Sequence, residues 1–309
     1  MVTECKVWPG IAVCLKFDAA RADNVDSSHS SECGRTMQEQ APIHVLVVED
    51  EAVNRDVVCQ MLRHFGHLVS AVESGREALA AIQASSYDLV VMDCRMEDLD
   101  GLEATRRLRA GAAGEQGRTI PIVALTAQAF AADREACFKA GMNDFLTKPV
   151  EVDALMAAVG RWGRCRAEVR AGQRAPLADT AMAASSLSDV FDHTVLAALP
   201  MVADGSQPEY GQAVLKLYLE SLPKLLASIR QAVHTADTKT AQRVAHSLKS
   251  SSAAVGAMAM AACAAHAEAQ LRAGQHDMSH LPARFDMELQ RLQITLGSQQ
   301  QNATSESAV

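Results

Sequence analysis

No apolar run in this 309-residue chain reaches the roughly 18–20 residues needed to span a bilayer. The longest, around Ala253 to Ala265, is mostly alanine and gives way to His266, so direct membrane insertion is not expected. The early stretch "VWPGIAVCLKF" is short, interrupted by Pro9 and Gly10, and has no basic leader, so a secretory signal is not expected either. There is no C-x-x-C pair. The eight cysteines are scattered with neither zinc-site nor disulfide-framework spacing, which reads as reduced thiols in a cytoplasmic protein. Positive charge is not in excess: the formal net charge of −8 gives no overall electrostatic reason to bind nucleic acid or an anionic membrane. Neither a Gly-rich nucleotide lid nor a Walker sequence is present, so the chain is not expected to phosphorylate itself from ATP.

What is present falls into two halves of different character. Residues 1–42 show no sustained period and read as an arm or a remnant of a longer protein. From Ile43, short β-branched runs alternate with segments of helical spacing: "IHVLVVED" and "EAVNRDVVCQMLRHFG", "HLVSAVE" and "GREALAAIQAS", "YDLVVMD" and "GLEATRRLRA". The pattern continues through "TIPIVALT" and "FAADREACFKAG", then "NDFLTKP" and "VDALMAAVGRW". Five strands alternating with five helices over residues 43–160 call for a parallel, doubly wound α/β sheet covered on both faces. Residues 161–187, with five arginines between Arg161 and Arg174, read as a solvated helix end and a linker. Over residues 188–296 no strand signal returns. Four amphipathic helices, the first holding Pro223, suggest an all-α antiparallel four-helix bundle, and residues 297–309 read as a disordered tail.

In an open parallel sheet, ligand chemistry collects at the carboxyl ends of the strands. Glu49 and Asp50 end the first strand, Asp93 the third, Thr126 the fourth and Lys148 the fifth. Three carboxylates placed together repel one another unless a hard cation neutralises them, and Mg²⁺ takes such oxygen ligands. The lysine and threonine can then hold phosphoryl oxygens while one carboxylate attacks phosphorus.

Through "VVEDEAVNR", "LVVMDCRMEDLDG", "ALTA" and "FLTKP", residues 43–160 resemble the receiver domains of two-component response regulators, which have a flavodoxin-like fold. The resemblance implies that Asp93 accepts a phosphoryl group from a phosphohistidine, with Glu49, Asp50, Asp93 and the backbone carbonyl of Arg95 as Mg²⁺ ligands. It also implies that Thr126 and Lys148 bind phosphoryl oxygens, that Phe145 repacks when Thr126 moves, and that the Lys148–Pro149 bond is cis. Asn54 stands where similar domains tune autodephosphorylation; by residue type and place alone it is a helix-surface asparagine. Where similar domains commonly have Met-Pro after the acceptor strand, this chain has Met96-Glu97, and loss of the proline is expected to leave that loop freer.

On the helix that carries "AHSLKSSSAAVGA", positions Ala241, Val244, Ala245, Leu248, Ser252 and Val255 follow three-to-four spacing and form the core stripe. His246 falls roughly 200° from Leu248 at about 100° per residue, which predicts a solvent-facing imidazole with Lys249 one turn along. With "LKLYLESLPKLLASIRQAV" before it and "AEAQLRAG" after it, this stretch is similar to the histidine phosphotransfer (HPt) domain. That resemblance implies His246 as phosphoacceptor and Lys249 as its electrostatic helper. Similar domains usually have glycine where Ser250 stands. The combined resemblance implies a phosphorelay protein with a sensor histidine kinase upstream and a response-regulator receiver downstream, as in the C-terminal part of hybrid sensor kinases. Two other readings compete with it. One is a phosphorylation-gated interaction module; the other is a phosphatase of the haloacid dehalogenase type, disfavoured because Arg95 occupies the place of that family's second aspartate. No helix-turn-helix follows the first domain, against a DNA-binding regulator.

Overall fold

The computed structural model describes residues 7–8, 11–12, 42–127, 131–163, 190–275 and 277–306. Most of the expected arm, and the expected linker from residue 164 on, lie outside the described residues. Met1–Glu39 and Gln40–Val309 are separate units. In the first, β1 (Val7–Trp8) and β2 (Ile11–Ala12) pair antiparallel.

The second unit opens with β3 (His44–Val48), α1 (Ala52–His64), β4 (Leu68–Val72), α2 (Gly75–Ala84) and β5 (Leu89–Asp93). It continues with α3 (Gly101–Arg109), α4 (Gly114–Thr119), β6 (Ile122–Thr126), α5 (Ala131–Ala140), β7 (Asp144–Thr147) and α6 (Val152–Trp162). The strands form one parallel sheet in the order β4-β3-β5-β6-β7, so chain order reverses at β3 and β5. The crevice at that switch is where the carboxyl ends of β3 and β5 deliver Glu49, Asp50 and Asp93. Strands β5 and β6 are buried on both faces, as their unbroken apolar runs require. Val45, Val91 and Val123 pack towards α1 and α6, and Leu46, Val90 and Met92 towards α2 and α3. Short α4 is an element that the strand-helix alternation did not show.

The capping residues explain why the helices start beside the crevice. The Glu51 carboxylate accepts from Val53 N–H (2.8 Å) and Asn54 N–H (3.1 Å), opening α1 directly after the acidic pair. Asp100 caps α3 through Glu103 N–H at 2.7 Å. Gly101 is required by close approach: a Cβ there would lie 2.0 Å from the carbonyl oxygen of Asp93.

After residue 190 come two short helices that the sequence pattern did not mark, α7 (Thr194–Ala197) and α8 (Pro200–Ala203). The bundle proper is α9 (Tyr210–His234), α10 (Thr238–Val255), α11 (Met258–Arg272) and α12 (Leu281–Glu306). Each packs on two neighbours, α10 between α9 and α11 and α12 closing the ring against α9 and α11. Helix α9 continues through Pro223. Asp237 caps α10 through Thr240 N–H at 3.0 Å, and Gly256 ends it at φ 84°. The core stripe of α10 is as expected: Ala241, Ala245, Leu248, Ser252 and Val255 are fully buried. Ser252 Oγ lies 2.8 Å from the Tyr218 hydroxyl of α9, so a polar residue in the stripe is satisfied. The tail expected to be disordered from residue 297 is instead helical to Glu306, because no proline follows and glutamine is a good helix former.

The α/β domain and the bundle are joined through α1. One face of this helix covers the sheet, and it also packs against α8, α9 and α10. Val53, Val57, Val58, Cys59, Met61 and Leu62 are all buried, more than one core-facing stripe can hold, and they belong to an apolar cluster continuous with the bundle core. Tyr210 donates to Asp56 at 2.7 Å, and His64 Nε2 lies 3.2 Å from Asp204 at the rim. Among the described residues no helix is long and apolar enough to cross a membrane.

Candidate functional site

The strand-end residues converge as their positions demanded. Ligand atoms of Glu49, Asp50 and Asp93 all lie within 4.8 Å of one another. Lys148 Nζ sits 2.6 Å from both Glu49 Oε2 and Asp93 Oδ2, and all three side chains are buried. Asp93 Oδ1 accepts the backbone N–H of Arg95 at 3.1 Å. Thr126 is buried at the end of β6, where its carbonyl accepts Lys148 N–H at 2.7 Å. The Lys148–Pro149 bond is cis. Phe145 lies under the Arg134 guanidinium, 4.5 Å from ring centroid to Cζ.

Burial, then repulsion from Asp93, lifts Glu49 from the ordinary carboxylate range to about 8. Burial and then Asp93 also raise Asp50. Burial pulls Lys148 down, but the Asp93 and Glu49 carboxylates outweigh it and hold its ammonium above the usual lysine range. One ammonium therefore faces three carboxyl groups. An all-oxygen, carboxylate-rich donor set of this kind fits a hard divalent cation and suits no soft metal.

The bundle brings a second set of groups to the same crevice. His246 Nδ1 lies 3.0 Å from Glu268 Oε1 on α11, so the N–H at Nδ1 donates to the carboxylate, and the ring nitrogen Nε2 has no hydrogen-bond partner among the described residues. Glu268 is a hub: Lys249 Nζ reaches its Oε2 at 3.1 Å, Arg272 its Oε1 at 3.0 Å, and Arg95 from the α/β domain its Oε1 at 3.4 Å. Burial pushes this carboxyl up, but the hydrogen bond and charge of His246, followed by Lys249, outweigh it and hold Glu268 at about 2. Lys249 Nζ also donates to the Ala127 carbonyl at 3.4 Å, one residue past Thr126.

Three expectations are corrected here. His246 is not open to solvent; it is 4% exposed. Its face does point away from the core stripe, but the α/β domain lies against that face, with Asn54, Arg95 and Ala127 meeting its helix or its partner Glu268. Asn54 is not a surface asparagine. It is buried, and its Nδ2 donates to Glu49 Oε1 at 3.2 Å and to Ser250 Oγ at 3.0 Å. The loop bearing Glu97 is not left freer by the missing proline: the Glu97 N–H, which proline would lack, donates to Asp50 Oδ2 at 3.0 Å.

Comparison with known families decides what these two halves are. A model described as a response regulator receiver domain matches residues 45–160, and one described as an Hpt domain matches residues 213–295. Residues 45–160 are a response regulator receiver domain, and residues 213–295 behind it are an Hpt domain. Relatives include the sensor histidine kinase GacS of Pseudomonas protegens, 39% identical over 132 residues, which are 43% of this chain and 14% of that protein. Histidine kinase 5 of Arabidopsis thaliana is 36% identical over 154 residues, covering 42% of this chain and 17% of that one. The chain thus spans about a seventh of the length of the curated relatives it matches. Among solved structures, the receiver domain of sensor histidine kinase PA1611 from Pseudomonas aeruginosa PAO1, with magnesium in its active-site cleft, is 45% identical. That match covers 40% of this chain and 98% of that one at a TM-score of 0.37.

Receiver and Hpt residues that the sequence reading passed over are Glu268, Arg243 and the Arg95 side chain. Glu268 stood within the quoted "AEAQLRAG", an acid on an alanine-rich helical segment with Arg272 one turn on, and that was the available signal. Arg95 carried none, since its guanidinium finds a partner 173 positions away.

Proposed function

We propose that this chain passes phosphoryl groups between Asp93 of its receiver and His246 of its Hpt bundle, as part of a cytoplasmic phosphorelay. The observation that carries the reading is His246 Nε2, a buried ring nitrogen with no hydrogen-bond partner among the described residues, on a helix pressed against the domain that holds Asp93. In the first step a carboxylate oxygen of Asp93 attacks phosphorus on a donor phosphohistidine. A P–O bond forms, the P–N bond breaks, and its electron pair returns to the donor imidazole. In the second step Nε2 of His246 attacks the same phosphorus, the P–O bond breaks, and Asp93 recovers its carboxylate. With Nδ1–H donating to Glu268, the lone pair of the neutral ring lies at Nε2, and Glu268 balances the charge that grows on the ring as the bond forms. Lys148 and Thr126 would hold phosphoryl oxygens on the receiver side, and Lys249 on the bundle side. The partners are then a sensor histidine kinase upstream and a receiver aspartate downstream. The domain limits that go with this reading are 43–160 and 188–296, separated by a linker at 161–187.

Glu49, Asp50, Asp93 and the Arg95 carbonyl would hold Mg²⁺, as the magnesium-bound PA1611 receiver suggests. Bound there, the cation neutralises the charge that accumulates on the phosphoryl oxygens during transfer. Glu49 must shed its proton to become a ligand. Its pKa, lifted to about 8, therefore makes Mg²⁺ affinity climb as pH rises towards 8 and level off above, by at most about tenfold per pH unit. Calorimetric titration in buffers of different ionisation enthalpy reads both the affinity and the proton released. A pH-independent affinity with no proton release would contradict the assignment of Glu49.

The relay itself is tested by incubating the protein with a labelled phosphohistidine donor and assaying the chemical stability of the label over time. Base-labile acyl phosphate is expected first, followed by base-stable, acid-labile phosphohistidine. Label that remains wholly acyl phosphate would favour the gated interaction module.

A further inference from the structure

The two places where this chain departs from the common pattern, Glu97 and Ser250, lie on opposite domains, and each meets a partner on the other. The Glu97 carboxylate pairs with Arg243 of α10 at 2.5 Å. Ser250, on α10 one turn past His246, accepts from Asn54 of α1 at 3.0 Å while its own hydroxyl reaches the carbonyls of Ser247 and His246, both at 3.2 Å. A glycine at 250 would leave the buried Asn54 amide one partner short, and a proline at 97 would offer Arg243 no carboxylate. Neither contact includes Asp93 or His246 themselves, although Asn54 also donates to Glu49, and both bridge the two domains.

We infer that Glu97–Arg243 and Asn54–Ser250 are the recognition pairs by which the Hpt bundle selects this chain's own receiver as its cover, so that His246 is withheld from other receivers until these pairs part. The inference rests on the phosphorelay reading for its consequence, but not for its geometry. His246 is buried, and receiver groups meet Ser250, Lys249 and Glu268 around it, so a second receiver would have to take the surface that the first one holds. The two pairs differ in kind. Glu97 and Arg243 are partly solvated, so their attraction is modest and mainly sets partner choice. Asn54 and Ser250 are desolvated, so a bundle without an acceptor at position 250 leaves the buried Asn54 amide one partner short, while Ser250 keeps its backbone carbonyl partners in any complex.

The test is the reactivity of His246 towards diethyl pyrocarbonate in the full chain, followed by peptide mass spectrometry with exposed His234 as the internal reference. Wild-type protein is expected to modify slowly at His246. Glu97→Arg, which sets two cations face to face, is expected to raise that rate about three- to tenfold with His234 unchanged, and the swapped pair Glu97→Arg with Arg243→Glu to restore protection. Ser250→Ala is expected to raise it about tenfold, with circular dichroism verifying that both variants keep the native helix content. In the same variants, transfer from phosphorylated His246 to a separately supplied receiver domain is expected to accelerate. Unchanged His246 reactivity in both single variants, or a charge swap that fails to restore protection, would overturn the inference. Because the modification needs no phosphoryl transfer, a relay that failed while the reactivity pattern held would overturn the proposed function and leave the docking assignment standing.

Discussion

A chain carrying Asp93→Ala takes no label at its receiver from a phosphohistidine donor, and His246 in that chain stays unlabelled when the donor is one that reaches Asp93 alone. The reason is placement. Asp93 is held by Lys148 Nζ at 2.6 Å on one oxygen and by the Arg95 N–H at 3.1 Å on the other. Its removal also leaves Lys148 with Glu49 as its one ion-pair partner among the described residues. Loss of a nucleophile costs several orders of magnitude in rate, far beyond what a shifted neighbour produces. The isosteric Asp93→Asn separates the two effects, because it preserves shape while abolishing attack. His246→Gln is the reciprocal variant: Asp93 is expected to accumulate label and pass none onward. If label arrived at His246 equally fast with and without Asp93, the order receiver to bundle would be wrong.

Glu268→Ala has the second largest expected effect, and it acts on stability and transfer together. The carboxylate is 1% exposed, and it meets His246, Lys249, Arg272 and Arg95 within 3.4 Å. Removing it strands several cationic or hydrogen-bonding groups around a hole. For a buried ion pair broken on one side the loss is about 3–5 kcal/mol, and the partial exposure of Arg95 and Arg272 places this one near 3. For a unit of this size, that corresponds to a fall in melting temperature of about 6–12 °C. Glu268→Gln retains a hydrogen-bond acceptor for Nδ1–H but loses the charge, so a milder loss of stability with a clear fall in transfer rate separates orientation from electrostatics. The acid limb of the stability curve gives an independent reading. The carboxyl sits near 2 when folded against 4.5 unperturbed, so its contribution is complete above about 4.5 and is lost as pH falls towards 2. Glu268→Gln should flatten that part of the melting-temperature profile; an unchanged acid limb would count against the hub.

The acidic crevice was legible from Glu49, Asp50, Asp93, Thr126 and Lys148 because each closes or directly follows a strand, and a parallel sheet delivers all such ends to one edge. No contact information is needed for that step, only the alternation of strands with helices. His246 was half legible. Helical periodicity placed it off the core stripe of α10, correctly, yet the conclusion that it faces water failed, because period reports which face a helix turns from its own bundle and says nothing of what lies against that face. The missing information was partly present in α1, where Val57, Val58, Cys59 and Met61 make the helix apolar over more of its circumference than a sheet alone would cover. Glu268 was less visible still, since an acid in a helix is ordinarily solvated and only its four partners make it otherwise.

Sequence alone therefore determined the two domain types, the acidic crevice with its lysine, and the histidine that stands outside the bundle core, because hydrophobic period and the alternation of strands with helices are local properties that survive any arrangement of the rest. Tertiary structure decided the remainder: the burial of His246, its pairing with Glu268, the second partner of Asn54, and the meeting of Glu97 with Arg243 and of Ser250 with Asn54. These depend on which surfaces a second domain covers. Residues up to 196 positions apart come into hydrogen-bond range there, a selection that no local pattern encodes.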